Sequence, residues 1–161
     1  MKKLLLVLFL LGFLGFCKIH LGEGQVNFWV QTTPPPFSAD YARVNIVKIS
    51  LHFVGHSDVD LNVDPVEVDF SPGAGAQMVG TFLLNTGSYD RLTLEFGGAL
   101  LSMGGLEYEV DMKEGRVTLP VKLEVTRDTP RTLRIFMEGS SFAYQGGGKF
   151  TFSPVISVSV E

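Results

Sequence analysis

The sequence predicts an all-β protein built as a single antiparallel β-sandwich of roughly nine strands. Three observations predict it. Past Gly24 apolar and polar residues alternate with period two. Clusters of Gly, Pro, Asn, Asp and Ser interrupt that alternation at a spacing of about 10–15 residues. No segment combines helix caps with a sustained helical period.

The first strand is Gln25 to Thr32, with Val26, Phe28 and Val30 on one face, and Trp29, lone in this strand, is assigned to the core. Pro34-Pro35-Pro36 stops it, because proline has no amide hydrogen for the ladder. Val44 to Val54 fits a helical stripe through Val44, Val47, Leu51 and Val54, and a strand through Val47, Ile49, Leu51 and Phe53. Its β-branched density decides for strand, and the change of phase between Ile46 and Val47 predicts a bulge. Val66 to Phe70 alternates and ends at Ser71-Pro72-Gly73. Met78 to Leu84 and Ser88 to Phe96 follow, the latter with Leu92, Leu94 and Phe96 inward. Leu100 to Val110 and Arg116 to Val125 are expected to form a hairpin through Met112-Lys113-Glu114-Gly115. Thr132 to Met137 comes next, Gly139 to Gly148 reads as a glycine-rich loop, and Lys149 to Val160 closes the chain as one strand. The 13 Phe, alternating with polar residues, are expected to fill the space between two sheets.

The N-terminus has a different character. Met1-Lys2-Lys3 is basic, and Leu4 to Cys17 carries no charge, which fits a secretory signal with an apolar core of about fourteen residues. A permanent membrane helix needs roughly 20 apolar residues, so the run is short for a span. Residues 1–24 are therefore read as a signal peptide or lipoprotein signal with a short linker, and residues 25–161 as the sandwich. Cys17, the single cysteine, is the candidate lipid-attachment site: Leu14 suits the position three before it, whereas Phe16 stands where Gly, Ala or Ser is usual. A cut after Gly24, with small residues at Gly22 and Gly24, is the alternative and discards Cys17. The membrane is thus an expected partner, through the signal or a lipid anchor, and the location is exported, at the cell envelope or released.

Composition sets further bounds. With one cysteine no intrachain disulfide is possible, so the fold must rest on a core, and about 145 residues suffice to bury one. The formal charge is −4 and no Lys/Arg cluster follows residue 3, which excludes nucleic acid as a partner.

Few constellations carry chemistry. Asp58, Asp60, Asn62 and Asp64 occupy relative positions 1, 3, 5 and 7 of a calcium loop, with Asp69 at position 12, and are the candidate calcium ligands. Val63 stands where the loop needs glycine, and position 12 is Asp where a bidentate Glu is needed; the competing reading is a strand with Val59, Leu61 and Val63 inward and the acids in water. His52 and His56 share a strand face about 13 Å apart, too far for one zinc ion. No G-x-S-x-G elbow occurs, and Gly146-Gly147-Gly148 reads as a hairpin tip. Trp29, Tyr41 and Tyr144 are the candidates for a sugar-stacking platform.

Several blocks resemble a known family. Asn85 to Leu94 is similar to its "pGtYtqirL" strand. Leu133 to Phe136, Gly139 to Phe142 and Phe150 to Ile156 resemble its closing "l.ldfd…S…y.l.PvI" segment, and Arg43 to His52 its early "v.vti..vevh" strand. The family is domain of unknown function 4382. Two of its blocks differ here: Gln31 to Pro36 replaces "sltDaP", and Val110 to Gly115 replaces "vPSg". The resemblance implies an exported protein, often a lipoprotein, with a transthyretin-like or immunoglobulin-like sandwich and no catalytic residues. The expected function is a non-enzymatic exported cell-envelope module with a structural or protein-interaction role. The alternative is a calcium- or small-ligand-binding sandwich.

Overall fold

The computed structural model describes residues 22–161, which form two packed sheets of twelve strands. The first sheet holds β1 (Glu23–Thr32), β5 (Ala76–Asn85), β9 (Arg131–Met137) and β12 (Ile156–Val160), in the order β12-β9-β1-β5. The second is built on two long central strands, β2 (Tyr41–Phe53) and β6 (Gly87–Met103). Short β4 (Val66–Asp69) and β3 (Asp58–Leu61) follow one another along the free side of β2. β7 (Leu106–Met112) and β8 (Arg116–Val125) do the same along β6, and β11 (Lys149–Phe152) and β10 (Phe142–Gly146) extend the sheet beyond β7.

The all-β sandwich expected from the pattern is what forms, with more than nine strands and a mixed ladder. Two pairings are parallel, β1 with β9 and β7 with β11, because the chain returns to each sheet by crossing from the other. β1 starts at Glu23, two residues ahead of the expected domain start, and buries Val26, Phe28 and Val30. Trp29 lies half-buried on the outer face of the first sheet rather than in the core, as its parity opposite Phe28 requires.

The expected bulge in β2 is present: the register slips on both sides of Ile46, leaving Val47 and Gly97 without partners. Ala42, Val44 and Ile46 are buried before the slip and Ile49, Leu51 and Phe53 after it, while Val47 is 40 % exposed and does not face inward.

Four segments differ from the sequence reading. Gly97-Gly98 does not end β6, which runs through it to a two-residue hairpin at Gly104-Gly105. Both of these glycines have positive φ (59° and 76°), the conformation that matches the strand twist in such turns. The hairpin expected at Met112 to Gly115 is absent: β8 pairs with the first half of β6, not with β7. Lys149 to Val160 is not one strand either. Pro154 ends the ladder after Phe152, and the chain crosses to the first sheet as β12. Buried Ser141 ties this crossing, its carbonyl accepting from Ser153 N (2.8 Å) and its Oγ from Val155 N (2.9 Å). Gly139 to Gly148 is a 3₁₀ turn followed by β10, not a loop throughout.

The core is aromatic at its centre. Phe152 meets Phe142, Phe96 and Phe70 at centroid distances of 5.0, 5.7 and 6.3 Å, all edge-on. At the β5-to-β6 crossing Tyr89 is buried and donates its hydroxyl to the Asn85 carbonyl (3.0 Å), the arrangement that pins sandwich corners. Phe53 stacks on Tyr89 at 4.8 Å and lies so close to Gly87 that a Cβ there would sit 2.6 Å from its ring.

Candidate functional site

Asp58 and Asp60 lie on β3, an edge strand, with Leu61 buried and the carboxylates in water; Asn62 and Asp64 follow it, also exposed. Asp60 is engaged: Lys48 Nζ lies 3.0 Å from Oδ2, and Ser50 donates to Oδ1 at 2.8 Å. The Lys48 contact, followed by that of Ser50, holds its carboxyl below the usual carboxylate range. Among the described residues no three His, Cys, Asp or Glu side chains converge as a metal site. The two histidines go separate ways. His52 Nδ1 lies 2.6 Å from Asp90 Oδ1, a contact that lowers the Asp90 pKa, while His56 stacks on Phe53 at 4.4 Å. Cys17 and His20 lie outside the described residues.

Trp29, Tyr41 and Tyr144 do not form a single platform. Tyr41 donates to Glu107 beneath the Arg43 guanidinium, which sits 4.6 Å from its ring centre; the Glu107 hydrogen bond raises its pKa. Trp29 belongs to the other sheet. Tyr144 instead joins an aromatic cluster at one end of the larger sheet. Around nearly buried Phe150 stand Tyr144, Tyr108 and Phe37, at centroid distances of 5.1, 5.2 and 5.7 Å. With Met103 and Gly148 they line a cavity of about 220 Å³.

The cluster is assembled by three separate stretches of chain. The parallel β7–β11 ladder pairs Val110 with Phe150, setting the two strands that carry Tyr108 and Phe150. The β10–β11 hairpin pairs Tyr144 directly opposite Phe150. Phe37 comes from the proline-stiffened segment after β1, which is fastened at both ends. Thr33 Oγ1 accepts from Gly139 N (2.9 Å), and Asp40 accepts from Gly105 N (2.9 Å) and Ser102 Oγ (3.2 Å).

Beside the same hairpin a second, polar groove of about 650 Å³ shares Gly148 and Phe150 with the aromatic cavity. Glu109, Asp111, Lys113, Gln145, Lys149 and Thr151 line it, with Lys113 Nζ 2.7 Å from Asp111 and Gln145 Nε2 donating to Thr151 (3.1 Å).

A further surface is the β5 edge of the first sheet, the longer of its two edges. β5 is ten residues long, carries neither charge nor proline, and exposes Met78 (50 %) and Leu83 (67 %) on its outer face. The other edge strands differ: β8 carries Arg116, Pro120, Lys122 and Glu124, β3 and β4 are four residues long with acidic side chains, and β10 and β12, also uncharged, are only five residues long. Only a slip at Val79, between the Phe28 and Trp29 pairings, interrupts the β5 edge.

Compared with protein-family models, curated proteins and solved structures, the chain matches none. The likeness to domain of unknown function 4382 therefore rests on the sequence blocks quoted above.

Proposed function

We propose that this protein is a non-enzymatic, exported module of the cell envelope that works by holding another protein along the β5 edge. One observation carries the reading: β5 offers ten residues of uncharged, proline-free edge with Met78 and Leu83 exposed beside it. Unpaired amides and carbonyls on such an edge accept an added strand, and exposed apolar side chains supply the affinity that main-chain bonds alone lack.

The tether belongs to the same proposal. Glu23 and Gly24 pair with Asn85 and Leu84, and Thr86 N donates to the Gly22 carbonyl (2.6 Å). A cut after Gly24 removes those contacts, whereas a cut before Cys17 keeps them and leaves a short link to a lipid. Intact mass of the membrane fraction tests this: a diacylglycerol-modified Cys17 is expected, and an N-terminus at Gln25 refutes the tether.

The interaction is tested by photo-crosslinking from position 83 in envelope extract. A discrete adduct is expected, and Met78→Lys, which places a charge on the same face, should abolish it. An adduct indifferent to that charge overturns the β5 reading.

A further inference from the structure

We infer that the aromatic end of the larger sheet is a second binding site, for a β-linked neutral carbohydrate chain. The site is independent of the β5 edge and lies in the other sheet. The inference starts from ring geometry. Tyr144, Tyr108 and Phe37 are inclined to Phe150 by 42°, 64° and 46°, so none lies flat against it, and the four rings line one space. A space of about 220 Å³ has room for a single six-membered ring and is too small to enclose a long acyl chain. Tyr144 is 58 % exposed, which leaves one face of its ring free at the rim.

The occupant must therefore present an apolar ring face to aromatics while offering polar groups at its edge. An all-equatorial pyranose does both: its axial C–H bonds point at the electron-rich ring face and its hydroxyls project outward. Hydroxyl partners are at hand. Tyr144 Oη accepts weakly from Gly148 N (3.4 Å), which leaves its own proton to donate. The polar groove that shares Gly148 and Phe150 adds carboxylates, ammonium groups, an amide and a hydroxyl. Its charges are balanced, Glu109 and Asp111 against Lys113 and Lys149, so the groove selects neither a phosphate nor a cation. The hairpin tip, Gly146 to Gly148, has no side chains, which leaves a path over the tip for a chain of sugars from cavity to groove. A proline-rich peptide is the other ligand that favours aromatic-lined grooves, and the test below includes it as the competing occupant.

The segments are fixed before any ligand arrives, since Phe37 is held by the Thr33 and Asp40 fastenings and Phe150 by the β-ladder. Little ordering cost remains, and a hexasaccharide contacting the site through two or three rings should bind with Kd on the order of 0.1 mM.

The test is titration calorimetry of the full chain in detergent with cellohexaose, chitohexaose and decaproline. Binding of at least one hexasaccharide is expected, weakened at least tenfold by Tyr144→Ala and largely kept by Tyr144→Phe, which preserves the stacking face. Because Tyr144 is exposed, Tyr144→Ala should keep the wild-type circular dichroism and Tm. Trp29→Ala, on the opposite sheet, should leave sugar binding unchanged. The inference is overturned if neither hexasaccharide binds at about 10 mM, if Tyr144→Ala binds as wild type, or if decaproline alone binds and loses binding in Tyr144→Ala.

Discussion

The paired slips at Val47 and Gly97 can be tested by a double-mutant cycle. An alanine Cβ at position 97 would lie 2.5 Å from Val47 Cγ1, about 1 Å inside ordinary carbon contact. Overpacking of this kind costs about 1–3 kcal/mol, and the 40 % exposure of Val47 lets it turn aside, which places the cost near 1–2 kcal/mol. Replacing glycine within a strand returns about 0.5–1 kcal/mol, since the unfolded chain loses freedom it would otherwise surrender on folding. Gly97→Ala alone should therefore be neutral to destabilising by about 1.5 kcal/mol. In the Val47→Ala background the collision is gone, and the same substitution should stabilise by about 0.5–1 kcal/mol. The sign reversal amounts to a coupling of about 1–2 kcal/mol, readable from urea denaturation of the four proteins by linear extrapolation. Additivity within about 0.5 kcal/mol would mean that the two side chains do not meet, and the β2–β6 register described here would be wrong.

Other perturbations probe the corner, the charges and the acidic strand. Tyr89→Phe removes the 3.0 Å hydrogen bond to the Asn85 carbonyl and should cost about 1 kcal/mol; an unchanged denaturation midpoint would show that the hydroxyl does not pin the crossing. Asp60 is held below the ordinary carboxylate range by Lys48 and Ser50, so its contribution is present above the unfolded value of about 4 and is lost as pH falls toward the folded value. Asp60→Asn should accordingly be less stable than wild type at pH 7 and match it near pH 2; parallel curves across that range refute the pairing. Because that carboxylate is already engaged, millimolar calcium should leave Tm unchanged. An upward shift reversed by chelator would show Asp58, Asp60, Asn62 and Asp64 converging on the ion.

Much of the fold was legible because its signal is local. The burial of Val26, Phe28 and Val30 follows from period two, and the bulge in β2 from a change of that period at Ile46. What was not legible depends on pairing at a distance. Nothing around Met112 to Gly115 distinguishes a hairpin from a step between two collinear strands, because both need the same polar, glycine-containing turn. The choice is made by β6, which at seventeen residues is long enough to receive β8 and β7 one after the other. Trp29 faces outward for a related reason. Its strand buries one face, and Phe28 already occupies it, so the larger and more apolar-seeming neighbour must face out.

The aromatic site shows the same limit more sharply. Phe37, Tyr108, Tyr144 and Phe150 are spread over three stretches whose spacing carries no motif, and Tyr144 alone drew notice as an exposed aromatic. They meet because β11 pairs in parallel with β7, which requires the chain to visit the first sheet as β9 before returning. Parallel pairing has no short-range sequence signature, so a site that depends on it is invisible to spacing. Asp58, Asp60, Asn62 and Asp64 are the opposite case: their spacing is conspicuous in sequence, yet β3 and the segment after it leave all four exposed along an edge, where Lys48 and Ser50 answer Asp60. For a sandwich of this kind, then, residues brought together across strands are better guides to a binding surface than residues adjacent in the chain. On that criterion the Phe150 cluster outranks every motif read along the sequence.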